Sequence, residues 1–535
     1  MFGETTTVKA NRGDTSVVRR AEIIAALSVA TDLAMGQPVE FALRSCLFAL
    51  RLGETLGFTA EELRETYYEA LLRYIGCNAE TYVVAALFGD ELELRRDLAV
   101  IDRANVIERT NTLVRAAQRA AKGTSVLAMI PGIVKLLSVA RSTSIPVIAG
   151  HCEVAERIAL RLGLGPVVSA NLGQFYERWD GRGLPRGLSG EAIARPVRLA
   201  TLAQDLILLC ETYGPEHALA VIKKRRGRVY DPQFVNHILT HRGDVTSDLL
   251  KQPSCDAVLA VEPGPQTVLA EDELDEGCRV IADFTDIKAP FTIGHSRAVA
   301  ALADAAGRAC ALPDADVATL RRAAYVHDLG DVGIPTALWI KPTAFTESEW
   351  ERVRLHPYYT ERILARPKTL AAIGHVASLH HERLNASGYH RGVGAPDLTP
   401  AARILAAAET YQTKVEPRPH RPALSANAAA SALKQEMRAG RIDSEAGAAV
   451  LAAAGHRIPP IRRQLVADLT GRELDVLRLI ARGQPTRDIA AALGISEKTA
   501  GNHVQNLYGK ISVSTRAGAV MFAVEHGLLN TVDDN

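Results

Sequence analysis

Residues 174–188 read QFYERWDGRGLPRGL and residues 380–393 read HHERLNASGYHRGV. With Phe175 set against His380 the two stretches align without a gap, at an offset of 205 residues. At the same offset HCEVAERIA, beginning at His151, falls on HPYYTERIL, beginning at His356, and Gln204 falls on Glu409. Three matches at one offset mark an internal duplication. Upstream, LLRYIGC at 71–77 resembles YVHDLGD at 325–331 at an offset of 254, so the first copy holds about fifty additional residues between these elements, expected to be helical.

A chain of 535 residues is too long for one core and suggests three or four domains. Hydrophobic residues at 47%, charged residues at 23% and aromatics at only 5%, with abundant Ala and Leu, predict a soluble, mostly α-helical protein. A net charge of +1 supplies no overall attraction to nucleic acid or membrane, so DNA contact has to come from a local motif. Seven dispersed cysteines without a C-x-x-C pair argue against a disulfide framework or a zinc-thiolate site and fit a reducing compartment. The N-terminus lacks an apolar signal core and no stretch approaches eighteen uncharged apolar residues, so a cytoplasmic location without membrane insertion is expected.

Residues 1–20 are polar and read as a flexible start, with helical periodicity beginning at Ile23, Ile24 and Leu27. Periodicity fades at 246–272, where Pro-Gly-Pro marks a linker between a first domain (21–245) and a second (273–456). HRIPPIRRQ leads through a stiff basic linker at 457–466 to a last domain at 467–530.

Seven of the fifteen histidines lie between His295 and His390. Imidazole and carboxylate hold divalent first-row metals, and more than four such groups can hold two ions around a shared carboxylate. The candidates are His295, His327, Asp328, His356, His380, His381 and Glu409. His327 and Asp328 follow an apolar helical run and precede Gly330, which sets both at a helix end; His380 and His381 similarly end a helical run. His375 and His390 read as surface or loop histidines.

GHS, HDLGDVGIP, HP, HHERLNASGYH and RILAAAE together resemble the HD-GYP phosphohydrolases of the HD superfamily over residues 273–450. The resemblance implies a helical domain with a two-iron or two-manganese centre that hydrolyses cyclic di-GMP. It implies His295, His327, His356, His380 and His381 as ligands, with Asp328 as the bridging carboxylate. The family's last ligand, an Asp, is Glu409 here. The matching first-copy positions are Arg73, Tyr74, His151, Phe175, Tyr176 and Gln204, a set that has lost the site. The first-copy loop Asp180-Gly181-Arg182-Gly183-Leu184-Pro185 is closer to the family loop than its counterpart, which fits a scaffolding or nucleotide-contact role.

The second copy departs from the family at three places. The lysine expected after H-D-x-G is Asp331, the proline of the GYP loop is His390, and the preceding Asp-Gly is Asn385-Ala386. At roughly 7 Å from a substrate phosphate, losing a cation costs about 2 kcal/mol, with a similar amount again from the new anion, at an effective dielectric near 20. Asp331 is instead a candidate ligand or base beside His327 and Asp328, the three forming the expected catalytic set.

LTGRELDVLRLIARGQPTRDIAAALGISEKTAGNHVQNLYGKISVSTRAGAVMFAVEHGLL divides into four helices by its own punctuation. Thr470 with Glu473 forms a capping box, Thr486 caps a second helix that ends at Gly494, and Ser496 caps a third. A fourth is expected over 515–526, closed by Gly527. A helix, a tight glycine turn and a longer helix make a helix-turn-helix. The outer face of the third helix carries Lys498, Thr499, Asn502, His503, Asn506 and Lys510, suited to base edges and phosphates of the major groove. The segment resembles the LuxR/GerE family, which implies DNA as a partner and a homodimer through the fourth helix.

The combined reading is a transcription regulator with a degenerate and a metal-bearing HD-GYP-like domain. Three uses of the second domain fit the residues: hydrolysis of a cyclic dinucleotide, non-catalytic sensing of nucleotide or metal, and hydrolysis of another phosphoester.

Overall fold

Alanine and leucine dominate runs with apolar residues every three to four positions, and the described backbone is helical accordingly, with three isolated β-bridges and no strand. The computed structural model describes residues 17–102, 105–120, 146–249, 254–457, 469 and 471–525. Two compact units divide the chain, residues 1–454 and 455–535.

Within the first unit the duplication is visible residue by residue. Helices Phe41–Thr55 and Ala60–Leu72 recur as His295–Ala309 and Asp314–Val326, each beginning 254 residues later. Both copies enter the first of these helices through a left-handed residue, Glu40 at φ 69° and Gly294 at φ 84°. Both fix its N-terminus with a buried aspartate: Asp32 accepts from Ala42 N at 3.1 Å and Asp286 from Ser296 N at 3.0 Å. Gly76 and Gly330 sit at matching close approaches, where an added Cβ would fall 1.8 Å from His151 O and 2.0 Å from His356 O respectively. In the later loops Glu177 accepts from Arg186 N and Leu188 N at 2.8 and 2.9 Å. Glu382 does the same for Arg391 N and Val393 N at 2.7 and 3.1 Å.

One helix runs through the core of each copy, Arg195–Tyr213 and Pro400–Val415. The first buries Leu199, Leu202, Leu206 and Ile207 against Phe48, Leu52 and Phe234. The additional residues of the first copy include the expected helices, Glu91–Ala99 and Val106–Ala120. Arg95 from the former is buried and donates to Ala34 O and Thr81 Oγ1 at 2.7 Å and to Cys77 O at 2.6 Å, bracing the turn that follows Arg73.

Two stretches differ from the sequence reading. The latter part of the expected linker, from 254 on, is packed in place: helix Cys255–Ala260 lies against Phe41–Thr55, and Tyr68 Oη donates to Glu262 at 2.8 Å. Residues 17–20 of the expected flexible start are also held, since Leu269 N donates to Val18 O and Arg20 N to Thr267 O, both at 2.9 Å. Fading helical periodicity marked a change of structure there, not slack chain. Residues 1–16 lie outside the described residues.

The second unit contains helices Gly471–Ala481, Thr486–Ala492, Glu497–Lys510 and Arg516–Glu525 around Val476, Leu477, Ile480, Ile489, Ala500, Val504 and Leu507. Ser496 caps the third helix as expected, accepting from Thr499 N at 3.1 Å. Thr486 does not cap the second: it is the first helical residue, and extended Pro485 occupies the cap. Thr470, Gly527 and most of the 457–466 linker lie outside the described residues.

Candidate metal centre and nucleic-acid interface

Five elements deliver the seven candidate ligands of the second copy. His295 opens helix His295–Ala309, while His327 and Asp328 follow the last turn of Asp314–Val326. His356 opens His356–Leu364, His380 and His381 lie just past Ala371–Ala377, and Glu409 sits inside Pro400–Val415. Their ligand atoms converge in two groups of three, His295 with His327 and Glu409, and His356 with His380 and His381. Asp328 lies between them, with Oδ2 3.3 Å from His327 Nε2 and 3.5 Å from His295 Nε2, and Oδ1 3.4 Å from His380 Nε2 and 3.7 Å from His356 Nε2.

Backbone carbonyls set the tautomers. His327, His356 and His380 donate through Nδ1 to the carbonyl three residues earlier, Ala324, Val353 and Ala377, at 2.7–2.8 Å. Each Nε2 is thereby turned toward the shared centre, the arrangement that orients histidine ligands. His356 Nε2 and His380 Nε2 then face each other at 3.0 Å with both Nδ1 protons committed. Two lone pairs at that separation call for a cation between or beside them. Burial holds His380 down to about 4 and lowers His356 and His381 as well, so all three are neutral donors.

The other group is charged. Burial opposes protonation of His295, but Glu409, Asp328 and Glu416 outweigh it and hold this imidazolium well above the ordinary range. Burial likewise opposes protonation of His327, and Asp328 with Glu409 raises it to about 10. Burial favours a neutral Asp328, yet His327 and its histidine neighbours hold it well below the carboxylate range. Glu409 Oε2 lies 3.0 Å from His295 Nε2 and 3.4 Å from His327 Nε2, and Asp331 Oδ1 is buried without a hydrogen bond. Buried nitrogen and oxygen atoms gathered this closely fit a divalent cation coordinated by both.

Asp328 also converges with His327 and His380, and Asp331 joins Asp328 and His356 as a further set of converging ligand atoms. Burial, then the charge of Asp328, pushes its carboxyl well above the ordinary range. Sequence reasoning missed Lys288 and Glu416. Lys288 Nζ donates to Asp331 O at 2.6 Å and to Ile334 O, pinning the turn that carries Asp331, and burial lowers it to about 8. Its only sequence signal is a lone lysine in the apolar run after Asp286. Glu416 accepts from His295 Nδ1 at 2.8 Å and lies two helical turns beyond Glu409, a spacing that could have flagged it. His375 and His390 join neither metal group; both face Glu361, His375 exposed and His390 half-buried.

On the third helix of the second unit Lys498, Thr499, Asn502, Asn506 and Lys510 are exposed and His503 is half-buried. Two of the six carry other duties. Lys510 pairs with buried Glu473 at 2.7 Å, and Thr499 Oγ1 shares a hydrogen bond with the capping Ser496 Oγ at 2.7 Å.

The HD domain family matches twice, at residues 136–234 and 279–446, and the luxR family of bacterial regulatory proteins matches at 467–523. The chain is an HD-domain protein with a luxR-family C-terminal domain. The 3'3'-cGAMP-specific phosphodiesterase 3 of Vibrio cholerae serotype O1 is 29% identical over 435 residues, which cover 80% of this HD-domain chain and 93% of that protein. The crystal structure of a cyclic GMP-AMP specific phosphodiesterase of V. cholerae aligns with a TM-score of 0.57 at 26% identity, over 83% of this chain and 99% of that one. The transcriptional regulatory protein YhcZ of Bacillus subtilis is 53% identical over 60 residues, 11% of this chain and 28% of that protein.

The two HD matches correspond to the two copies, and the first holds no convergent group of metal ligands among the described residues. Phe41 occupies the helix-opening position of His295, a replacement the sequence reading did not identify. Arg73 replaces His327, and its Nη1 donates to Asp205 Oδ1 at 2.9 Å and Gln204 Oε1 at 3.0 Å. Burial would lower that guanidinium, but Tyr74 and Asp205 keep it protonated. Gln204 is turned away, donating to Ala70 O at 2.6 Å, and His151 meets Tyr176 Oη at 3.2 Å.

Proposed function

We propose that this chain is a DNA-binding transcription regulator whose second HD copy, within 273–456, is a metal-dependent phosphodiesterase of a cyclic dinucleotide. The first copy, within 21–245, is its non-catalytic partner. The observation that carries the reading is the pair of facing Nε2 atoms of His356 and His380, 3.0 Å apart with both Nδ1 protons committed elsewhere. The V. cholerae relative that spans most of the chain is named for hydrolysis of 3'3'-cGAMP, which supports that substrate class.

His295, His327 and Glu409 would hold one ion, and His356, His380 and His381 a second, with Asp328 shared; iron and manganese suit this nitrogen and oxygen set. Bound divalent ions supply Lewis-acid stabilisation of the charge that grows on a phosphate under attack by water. The protein's own part is positional. The Nδ1 bonds of His327, His356 and His380 lock ring orientation, and Glu416 does the same for His295. Asp331, whose carboxylate converges with Asp328 and His356, is placed to hold at Oδ1 the proton that water gives up. Lys288 keeps the Asp331 turn in place through the backbone. The luxR-family domain reads DNA through Lys498, Asn502 and Asn506, with His503, Thr499 and Lys510 flanking, in a cytoplasmic homodimer.

The decisive assay is timed breakdown of 3'3'-cGAMP and cyclic di-GMP by the full chain with Mn²⁺ or Fe²⁺. Linear dinucleotide or mononucleotide accumulating with the native chain, and not with Asp328→Ala, is the expected result. Bound metal without turnover of either substrate would move the reading to a non-catalytic sensor, which the carboxylate of Asp331 in place of the family lysine favours.

A further inference from the structure

Where the second copy gathers its histidines, the first has a cavity of about 100 Å³. Arg73, Tyr74, Phe175, Tyr176, Arg178 and Asp205 form much of its wall. The lining charges balance, Arg73, Arg178 and Arg225 against Asp102, Glu177 and Asp205, with Arg73 bonded to Asp205 at 2.9 Å and Arg178 to Asp102 at 2.5 Å. A bare anion gains little from such a balanced set. A neutral planar group with acceptors on one edge and donors on another gains from both halves. The hydrogen bonds of Arg73 all leave from Nη1, so Nε and Nη2 are uncommitted. Its guanidinium lies 4.9 Å from the Tyr74 ring centroid and 5.7 Å from that of Phe175, and both rings line the cavity.

We infer that this cavity is a receptor site for a guanine base, from a mononucleotide or from one half of a cyclic dinucleotide. Guanine presents O6 and N7 acceptors to a guanidinium. Its N1–H and N2 donors suit a carboxylate such as Asp205, and its face stacks on aromatic side chains. The inference goes beyond the proposed hydrolysis and needs no turnover in either copy.

A physical route joins this cavity to the metal centre. Helix Glu91–Ala99 ends at the cavity wall, which includes Ala99, Ile101 and Asp102. Its other end places the buried Glu91 carboxylate in the second copy, accepting from Thr336 N and Oγ1 at 2.8 Å and lying 4.0 Å from Lys288 Nζ. Lys288 in turn holds the turn of Asp331. Base binding that shifts this helix therefore acts on the metal turn.

The test uses the full chain carrying His327→Ala and Asp328→Ala, so that the second copy contributes no metal-supported binding. Calorimetric titration with GMP should give about one site per chain, at least tenfold tighter than AMP. Arg73→Gln, and independently Ala99→Phe to fill the space, should each weaken GMP at least tenfold with helical content unchanged. Cyclic di-GMP competing for the same site would identify the dinucleotide as the source; GMP binding without such competition would identify the mononucleotide. No GMP binding at millimolar concentration, or binding that neither variant alters, overturns the site, and equal AMP binding overturns the guanine assignment. In the otherwise native chain GMP should change Mn²⁺ affinity at least threefold, and Glu91→Gln should abolish that change while GMP still binds. An unchanged Mn²⁺ affinity overturns the relay.

Discussion

The two HD copies share their helices, their left-handed helix entries and their closest backbone contacts, yet solve the same interior differently. The second copy assembles five histidines and two carboxylates whose nitrogen and oxygen atoms converge closely enough to hold a cation. The first sets Phe41, Arg73, Tyr74, Phe175, Tyr176 and Gln204 at six of those positions, keeps His151 at the seventh, and pairs its own guanidinium with Asp205. The fold is therefore not built by the metal. A protonated arginine, braced by aromatic rings, stands where the ion's charge would be.

Loss of the shared carboxylate is the largest expected way to break this comparison. Asp328→Ala should lower cyclic dinucleotide hydrolysis by on the order of a thousandfold, while Gln204→Glu, which restores a carboxylate in the first copy, should bring no additional ion. Residual hydrolysis near the native rate in Asp328→Ala would remove the distinction between the copies.

Next in size is the pH dependence of metal uptake. His295 and His327 are held protonated without metal, His327 up to about 10, whereas His356, His380 and His381 are neutral. An ion entering the first group must displace two protons, so near pH 7–8 its affinity should rise about a hundredfold per pH unit, and the second ion's should stay nearly flat. Mn²⁺ titrations in buffers of different ionisation enthalpy read the released protons directly. Two equally pH-independent sites would contradict the electrostatic contrast.

The shared scaffold predicts a symmetric penalty. Gly76→Ala and Gly330→Ala place a Cβ 1.8 and 2.0 Å from a carbonyl oxygen, and each should cost about 1–3 kcal/mol in denaturant unfolding. A large cost in one copy alone would show that the turns are not equivalent. Smallest is the effect of Asn502→Ala, expected to weaken specific DNA binding roughly tenfold, with metal content and hydrolysis unchanged. An unaltered footprint would reject that face of the third helix.

Much of this was legible because short motifs carry it. His327-Asp328, His380-His381 and the 205-residue offset survive as local patterns, and the structure brings the seven candidate residues together. What escaped depends on contacts between distant segments. Glu91 reaches Thr336 across 245 residues, and Lys288 acts through backbone carbonyls that no side-chain motif announces. Phe41 carries no motif that ties it to His295, since the 254-residue offset shows as a sequence pattern only at 71–77. The expected cap at Thr486 failed because Pro485 supplies the extended residue one position earlier.

The most direct test is metal analysis of the full chain purified without chelators, beside the His327→Ala, Asp328→Ala variant. The account predicts about two transition-metal ions per native chain and none retained by the variant, with the first copy still folded. A native chain that holds no metal, or a variant that keeps both ions, would contradict it.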